Sequence, residues 1–394
     1  MLPTSTRGRL VLAGLVGSLS LLFGGAGVAS LRATAAWATF CTRADELEGA
    51  VASRVHHRHP LWGSPREESA FAHYEEAGKL AQELDRELGG KSAAFCTKPD
   101  AELVAATSRP RWQAIAGAVH RGAHATDTTP LATSMLTDPK LGIFNLLWVR
   151  AITNATSFEC RARLQEGRAL DAVAASLDAA TLALDVARRG DMIDQMIAVA
   201  ALVIAMSPWT EARLVRMPAD ALAQLANGLE RLDRAWPAGV DVDRELLLTA
   251  RGLQSVVAEG LQAGPWQYAF SARWMYADAF SGYEKVMREL ATVQPSWPRR
   301  AALLEVAFAD EQARGNVLAE HCDSTLHSTE RAARRVVADL RLLRMAIDRH
   351  LGRDLPPLRD PLGNGPIVVT RTADGTRLSC AADGERAVER TVVR

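Results

Sequence analysis

The sequence predicts an all-α protein, a multi-helix antiparallel bundle or array with an N-terminal transmembrane helix and a small C-terminal β-hairpin. Apolar residues recur at three- and four-residue steps through most of residues 37–351, which is the period of amphipathic helices. Glycine and proline separate these segments at short intervals, as between antiparallel helices. After Pro357 the pattern changes to short β-branched segments around Asp374-Gly375.

Residues 1–35 carry an export signal. Arg7 and Arg9 precede an uncharged run of 22 residues, from Leu10 to Leu31. At about 1.5 Å per residue this run covers the roughly 30 Å of a bilayer core. Basic residues stay on the cytoplasmic side, so we expect a single-pass inner-membrane protein with most of the chain in the periplasm. Small residues at 33–35 leave a cleaved signal sequence open as the alternative.

Residues 36–130 form a predicted N-terminal helical region. The spacing predicts a helix over 37–60, a second over 66–88 and a third over 100–124, which Pro110 interrupts. Gly89-Gly90 ends the second helix. The region closes with a loop at 126–130.

Residues 131–353 form the predicted main helical domain, which opens with helices ending at Gly167, Gly190 and Met206. The middle helix carries Asp171, Asp178 and Asp185 seven residues apart on a predicted polar face. The eleven residues from 196 to 206 are all apolar. That is about 16 Å of helix, too short to span a bilayer, so we expect it to be the most buried element of the body. Further helices follow from Pro218 to residue 351, and 354–394 form the tail with the hairpin.

Composition excludes several classes of function. The 46 basic and 46 acidic residues balance, so the chain has no electrostatic footprint for nucleic acid. The sequence contains no phosphate-binding loop, dinucleotide fingerprint or nucleophile elbow. We therefore predict no cofactor and no catalytic residue, and the sequence favours a protein that is not an enzyme without deciding the question.

Five cysteines in an exported chain can form at most two intramolecular disulfides. We predict Cys41 with Cys96 and Cys322 with Cys380, because each pair flanks a separable segment. Cys160 lies in a strongly helical stretch and stays free. The alternative is that all five are reduced and buried.

Histidines supply the weak candidates for a metal site. His120 and His124 are four residues apart and share a helix face, although no glutamate follows His120 as in zinc hydrolases. His321 and His327 lie with Glu320 and Asp323 in the densest cluster of ligand-type residues. Surface polar residues at a turn are the simpler interpretation of that cluster.

Two surfaces are candidates for binding. Trp266, Phe270 and Trp274 line one helical face, where they would stack on a glycan or peptide or pack in the core. Arg331, Arg334 and Arg335 lie on the polar side of the last long helix, where they would face solvent, anionic lipid or an acidic partner.

The C-terminal segment carries a resemblance. A helix over 340–350, then Leu355-Pro-Pro-Leu358, then Asp360-Pro-Leu-Gly-Asn-Gly-Pro366 resembles the end of a pseudopilin-type fold over about 40 residues. The residues of a prepilin processing site are absent around Gly8-Arg9-Leu10. Together with the anchor and the helical body, the chain resembles single-pass bacterial envelope proteins without a known activity. That resemblance implies location and architecture only.

From these observations we predict a membrane-anchored extracytoplasmic helical scaffold or protein-interaction module with a protein partner in the envelope. The alternative is an extracytoplasmic hydrolase or metal-dependent enzyme whose histidines and acids converge from distant positions. Sequence spacing cannot reveal such a site.

Overall fold

The computed structural model describes residues 30–89, 98–129, 139–263, 266–293, 297–363, 365–381 and 387–393, without the side chains at 139–146, 260–263, 266–271, 321 and 323. The described part is mostly helical and has a small antiparallel sheet near the C-terminus, as the sequence predicts. Among the described residues, no helix is both long and apolar enough to cross a bilayer. The apolar run of the predicted anchor, Leu10 to Leu31, lies outside them except for its last two residues.

The helices are α1 (30–52), α2 (Ala70–Glu87), α3 (Asp100–Thr107), α4 (Pro110–His124), α5 (Pro139–Gln165), α6 (Ala169–Arg189), α7 (Met192–Met206), α8 (Glu211–Leu214), α9 (Ala219–Ala235), α10 (Val242–Ala263), α11 (Trp266–Thr292), α12 (Trp297–Ala313) and α13 (Val317–His350). The strands are β1 (Arg66–Ser69), β2 (Ala125–Asp127), β3 (Val368–Thr372), β4 (Gly375–Ser379) and β5 (Glu389–Val393). The predicted break at Pro110 is confirmed as the boundary between α3 and α4.

Helix α6 is the centre of the first hydrophobic core. It packs against α4, α5, α7 and α9, and every residue from Ala172 to Ala187 is buried. It is rich in alanine on all sides, so neighbouring helices can approach it closely. It ends at Gly190, whose φ of 93° is left-handed. Glycine adopts this conformation readily and is therefore common at helix C-termini. The two acidic residues Asp178 and Asp185, which we predicted on a polar face, are therefore buried.

Helix α7 is less buried than its composition predicts. Its inner face carries Leu202, fully buried, and packs against α6, α5 and α13. On its outer face Ile193, Met196 and Val203 have relative exposures of 59%, 48% and 53%. The prediction that this is the most buried element is wrong, because an all-apolar sequence does not show which face a helix turns to solvent.

A second hydrophobic core contains α1, α10, α11, α12 and the C-terminal sheet. Helix α13 belongs to both cores: Leu340 and Ile347 lie in the first, Leu342 and Ala346 in the second. Opposite faces of one 34-residue helix thus carry the two halves of the body.

The predicted hairpin is confirmed over β3 and β4, with Thr372 opposite Gly375 around the Ala373-Asp374 turn. A third strand, β5, extends this sheet in antiparallel register. A second, two-stranded sheet pairs β1 with β2 in parallel. Residues 56–58 lie beside β2, where the Arg58 amide donates to the Thr126 carbonyl and the Thr128 amide donates to the His56 carbonyl. This pairing fixes the chain that leads into residues 58–64, which we call the arm.

Candidate metal centre

Helix α4 presents two imidazoles at its C-terminal end. Pro110 occupies the first turn, where amide groups make no hydrogen bond within the helix, so the missing amide hydrogen of proline costs nothing there. His120 and His124 are one turn apart, and their ring centroids lie 4.3 Å from each other. Gly122, between them, lets the helix close on α2, since a Cβ there would come within 2.4 Å of the Tyr74 ring. Helix packing thus points both rings towards α6.

Asp178 of α6 faces the two imidazoles. His120 Nδ1 is 3.0 Å from Asp178 Oδ2, and His124 Nε2 is 3.7 Å from Asp178 Oδ1. Within the described residues, these are the three side chains of metal-binding type whose ligand atoms all lie within 4.8 Å of one another. Asp178 and His124 are buried, whereas 39% of the His120 side chain is exposed.

The proton on His124 is fixed by its surroundings. Nδ1 lies 3.0 Å from the Ser64 carbonyl oxygen, which can only accept, so Nδ1 carries the hydrogen and Nε2 carries a lone pair. Nε2 is buried and has no hydrogen-bond partner. Burial lowers the pKa of His124, which keeps the ring neutral near pH 7. A buried lone pair without a partner is costly in an apolar setting and is what a metal ion would satisfy.

The arm covers the cluster from the other side. Trp62 Nε1 donates to Asp178 Oδ1 over 2.7 Å, and the Trp62 ring meets the His124 ring edge-on at 4.7 Å. Gly63 has φ of 68°, and a Cβ there would lie 2.4 Å from the His124 ring. Only glycine therefore fits this turn without moving the imidazole. The arm orients both His124 and Asp178, as outer residues do around bound metals.

Arg58 anchors the arm beneath the cluster. Its guanidinium donates to both oxygens of Asp185 at 2.6 and 2.8 Å, and to the carbonyls of Gly122 and Ala123 at 2.8 and 2.7 Å. Tyr74 adds its hydroxyl to Asp185 at 2.7 Å. Because the two carbonyls belong to the last turn of α4, this ion pair also fixes the position of His124.

The spacing of the three ligands suits a small divalent ion. Zinc lies about 2.0–2.2 Å from histidine nitrogen and carboxylate oxygen, so tetrahedral ligands are about 3.3 Å apart. The separations of 3.0 and 3.7 Å lie on either side of that value but end on different oxygens of Asp178, Oδ2 and Oδ1, and the three ligand atoms all lie within 4.8 Å of one another. Two imidazoles with one carboxylate form a donor set that zinc and neighbouring transition metals favour over calcium or magnesium.

A polar cleft of about 520 Å³ opens beside the cluster. His120, Asp178 and Trp62 lie at one end of it, and its other walls come from α3, α4, α5 and the start of α6. Glu159 of α5 lies in the wall and pairs with Arg163 one turn away. Burial raises the pKa of Glu159, and the Asp178 charge adds to that rise while Arg163 opposes it. The cleft therefore brings a carboxyl group with a raised pKa to the same space as the imidazoles.

Of the other two predicted metal candidates, the one with a described side chain, His327, does not lie in this site. His327 is half-buried and stacks edge-on against Trp297 at 5.1 Å. The His321 side chain lies outside the described residues. The structure thus brings His120 and His124 together with Asp178, which the sequence had placed on a polar helix face.

The residues of the two predicted binding surfaces, the aromatic face of α11 and the arginines of α13, differ in their exposure to solvent. The side chains of Trp266 and Phe270 lie outside the described residues, and Trp274 has a relative exposure of 54%. Arg335 is exposed and Arg331 is half-buried. Arg334 is buried, pairs with Glu330 at 3.0 Å and lies over the Trp297 ring at 5.1 Å, so it does not contribute to a surface.

The predicted bridge between Cys322 and Cys380 is not formed. Cys41, Cys160, Cys322 and Cys380 are all free thiols, and Cys96 lies outside the described residues. Cys322 lies beside Tyr283, whereas Cys380 lies close to Asp360 and Asp339. Asp339 is 17 residues from Cys322 along α13, about 25 Å of helix, far beyond the reach of a disulfide.

Comparison with known proteins adds no identity: no protein-family model, curated protein or solved structure matches the chain. The resemblance to envelope proteins and to pseudopilins stays a prediction.

Proposed function

We propose that the protein is a metal-dependent enzyme of hydrolytic type that binds a zinc-class divalent ion through His120, His124 and Asp178. One observation carries the proposal: the buried Nε2 of His124 faces Asp178 with a lone pair and no hydrogen-bond partner. The proposal corresponds to the alternative that the sequence left open, a site assembled from dispersed histidines and acids.

The chemistry follows from the number of ligands. Catalytic zinc sites have three protein ligands and keep a fourth position for water or substrate. Here the fourth position would face the cleft, because His120 and Asp178 line its inner end. A metal-bound water has a pKa near 7 and is a nucleophile at neutral pH. Glu159, in the same wall, would exchange the proton.

Metal titration of the purified full-length chain tests the proposal. We expect one equivalent of Co²⁺ to give the visible absorption of a tetrahedral site and Zn²⁺ to displace it. His124→Ala should weaken Zn²⁺ binding by at least about 100-fold, because a ligand contributes more than the outer residues, whose loss costs about 10- to 100-fold.

His73→Ala is the matched control. His73 also lies on a helix, and its Nε2 donates to the Glu68 carboxylate at 2.7 Å, but His73 is not among the residues that line the cleft. Its removal should leave Zn²⁺ affinity unchanged. Equal affinity in His124→Ala and the parent protein would refute the proposal.

A second candidate function is the membrane-anchored scaffold of the envelope, for which the outer face of α7 provides specific support. Ile193, Met196 and Val203 form an exposed apolar stripe at helical spacing. Such a stripe fits a protein partner in the envelope, with residues 1–35 holding the chain at the inner membrane and its body in the periplasm.

Pull-down from detergent-solubilised membranes would test this second function. Val203→Glu changes only the outer face, so the variant should fold normally and lose co-purifying envelope proteins. Identical sets of proteins with both chains would count against the scaffold and leave the metal proposal untouched.

A further inference from the structure

We infer that the cleft beside the metal centre takes an uncharged polar molecule bearing amide or hydroxyl groups and excludes phosphates and other anions. This inference rests on the proposed function, since it names the substrate class of the same site. It is carried by the charges of the cleft walls and by their pairing.

Arg163 is the first cation of the cleft, and both of its Nη groups have partners within the wall. One Nη donates to Glu159, and the other donates to the Asp171 carbonyl oxygen at 2.9 Å. Glu159 is buried, with a side-chain exposure of 10%, so this ion pair is screened little by water. An incoming phosphate would have to displace a carboxylate that is already in place.

Arg168 is the second cation, and it is held by two carboxylates. Its Nε donates to Asp171 at 2.7 Å and its Nη1 to Glu166 at 3.1 Å. Among the described residues that line the cleft, these are the two arginines, and lysine is absent. The lining therefore holds no guanidinium with a free fork for the bidentate grip that proteins use on phosphate.

The total charge leads to the same conclusion. The lining contains four carboxylates, those of Glu159, Glu166, Asp171 and Asp178, against the two guanidiniums, which leaves two negative charges. A divalent ion at the metal centre would make the cleft neutral, without a net positive charge to attract an anion. Gln113 supplies an amide and Trp62 an aromatic face, while the Thr107 and Ser108 hydroxyls donate to helix carbonyls and keep their lone pairs as acceptors. Those groups suit amides and hydroxyls.

Two ligands that differ only in a phosphate group test the inference on the zinc-loaded full-length chain. The probes are N-acetylglucosamine and N-acetylglucosamine 6-phosphate, with binding followed by saturation-transfer NMR. We expect signal from the neutral sugar and at least about tenfold weaker binding of the phosphate. Tighter binding of the phosphate, or binding of neither probe, would overturn the inference.

A pair of variants tests its physical cause. Glu159→Gln keeps the shape of the wall but removes the negative charge that pairs with Arg163. The affinity for the sugar phosphate should therefore rise about tenfold. Glu166→Gln is the matched control, because Arg168 keeps Asp171 as its partner. Similar phosphate affinity in the parent and in both variants would show that arginine pairing does not decide selectivity.

Failure here is distinguishable from failure of the proposed function. Zn²⁺ affinity is measured first and depends on His124 and Asp178, not on the pairing of Arg163. A chain that binds zinc and prefers the phosphate would retain the metal centre and lose only the substrate class. A chain that binds no zinc would lose both.

Discussion

Asp178 and Asp185 lie two turns apart on the same buried face of α6, yet their surroundings differ in one decisive respect. Asp185 faces a guanidinium and a phenol, and both of its oxygens accept hydrogen bonds. Asp178 faces two imidazoles and an indole, and one imidazole nitrogen beside it has no partner. Each oxygen of either carboxylate has a partner, but only beside Asp178 does a buried imidazole nitrogen remain without one, and that nitrogen leaves capacity to bind.

The difference lies in the chemistry of the facing groups. Arginine does not lose its proton in proteins, so Arg58 can only be a fixed cation. A neutral imidazole keeps one lone pair, and that lone pair can bind a metal. The same acid at the same helical spacing is therefore structural at Asp185 and suited to function at Asp178.

Asp185→Ala should produce the largest effect. It leaves the Arg58 guanidinium buried, with 1% of its side chain exposed, and without its carboxylate partner. Breaking a buried ion pair in this way costs about 3–5 kcal/mol of unfolding free energy. Urea unfolding followed by circular dichroism measures it. A loss below about 1 kcal/mol would mean that water or another group replaces the carboxylate.

Asp178→Ala should separate stability from binding. In the metal-free protein the Trp62 indole and the His120 imidazole each lose an acceptor, so we expect a cost of about 1 kcal/mol. Zn²⁺ affinity should fall at least about 100-fold, because one of three ligands is gone. If Asp178→Ala instead destabilises the protein as much as Asp185→Ala, the contrast between the two carboxylates fails.

The pH dependence of stability should show the imidazole side of the contrast. Burial lowers the pKa of His124 below its value of about 6.5 in an unfolded chain. The unfolded chain therefore takes up this proton first as the pH falls. The stability contributed by neutral His124 is fully present above pH 6.5 and is lost as the pH drops through the folded-state pKa. Melting temperatures of the metal-free protein and of His124→Gln should converge in acid, and parallel curves would contradict this.

Much of the fold follows from the sequence, because its determinants are local. Pro110 begins α4 and Gly190 caps the end of α6 for reasons of backbone geometry that act at one residue. The Asp374-Gly375 signal likewise predicts the hairpin, although the turn itself lies one residue earlier, at Ala373-Asp374. The exposure of Met196 and Val203 does not follow, since residues 196–206 carry no polar stripe to mark an outer face, and the polar residues just before them, Asp194 and Gln195, are buried.

The candidate site could be predicted only in part. The spacing of His120 and His124 shows that they share a face, which is a local property of α4. Asp178 lies 58 residues from His120, and nothing in a seven-residue repeat of aspartates tells which one meets an imidazole. Trp62 enters from an arm whose path depends on the buried pair between Arg58 and Asp185. Tertiary packing, which has no short-range signature, selects these partners.

Asp171→Ala should have the smallest effect and completes the comparison. Asp171 continues the same seven-residue spacing but lies in the first turn of α6, with 49% of its side chain exposed, paired with Arg168. Loss of an exposed pair and of an acid at a helix N-terminus costs about 0.5–1 kcal/mol. Zn²⁺ affinity should not change, because Asp171 lines the cleft two helical turns before Asp178 and therefore lies away from the imidazoles. A 100-fold loss of Zn²⁺ affinity in this variant would place the ligand set elsewhere in the cleft. Unchanged affinity would show that Asp178 is a ligand because it is buried opposite an imidazole, and not because of its helical spacing.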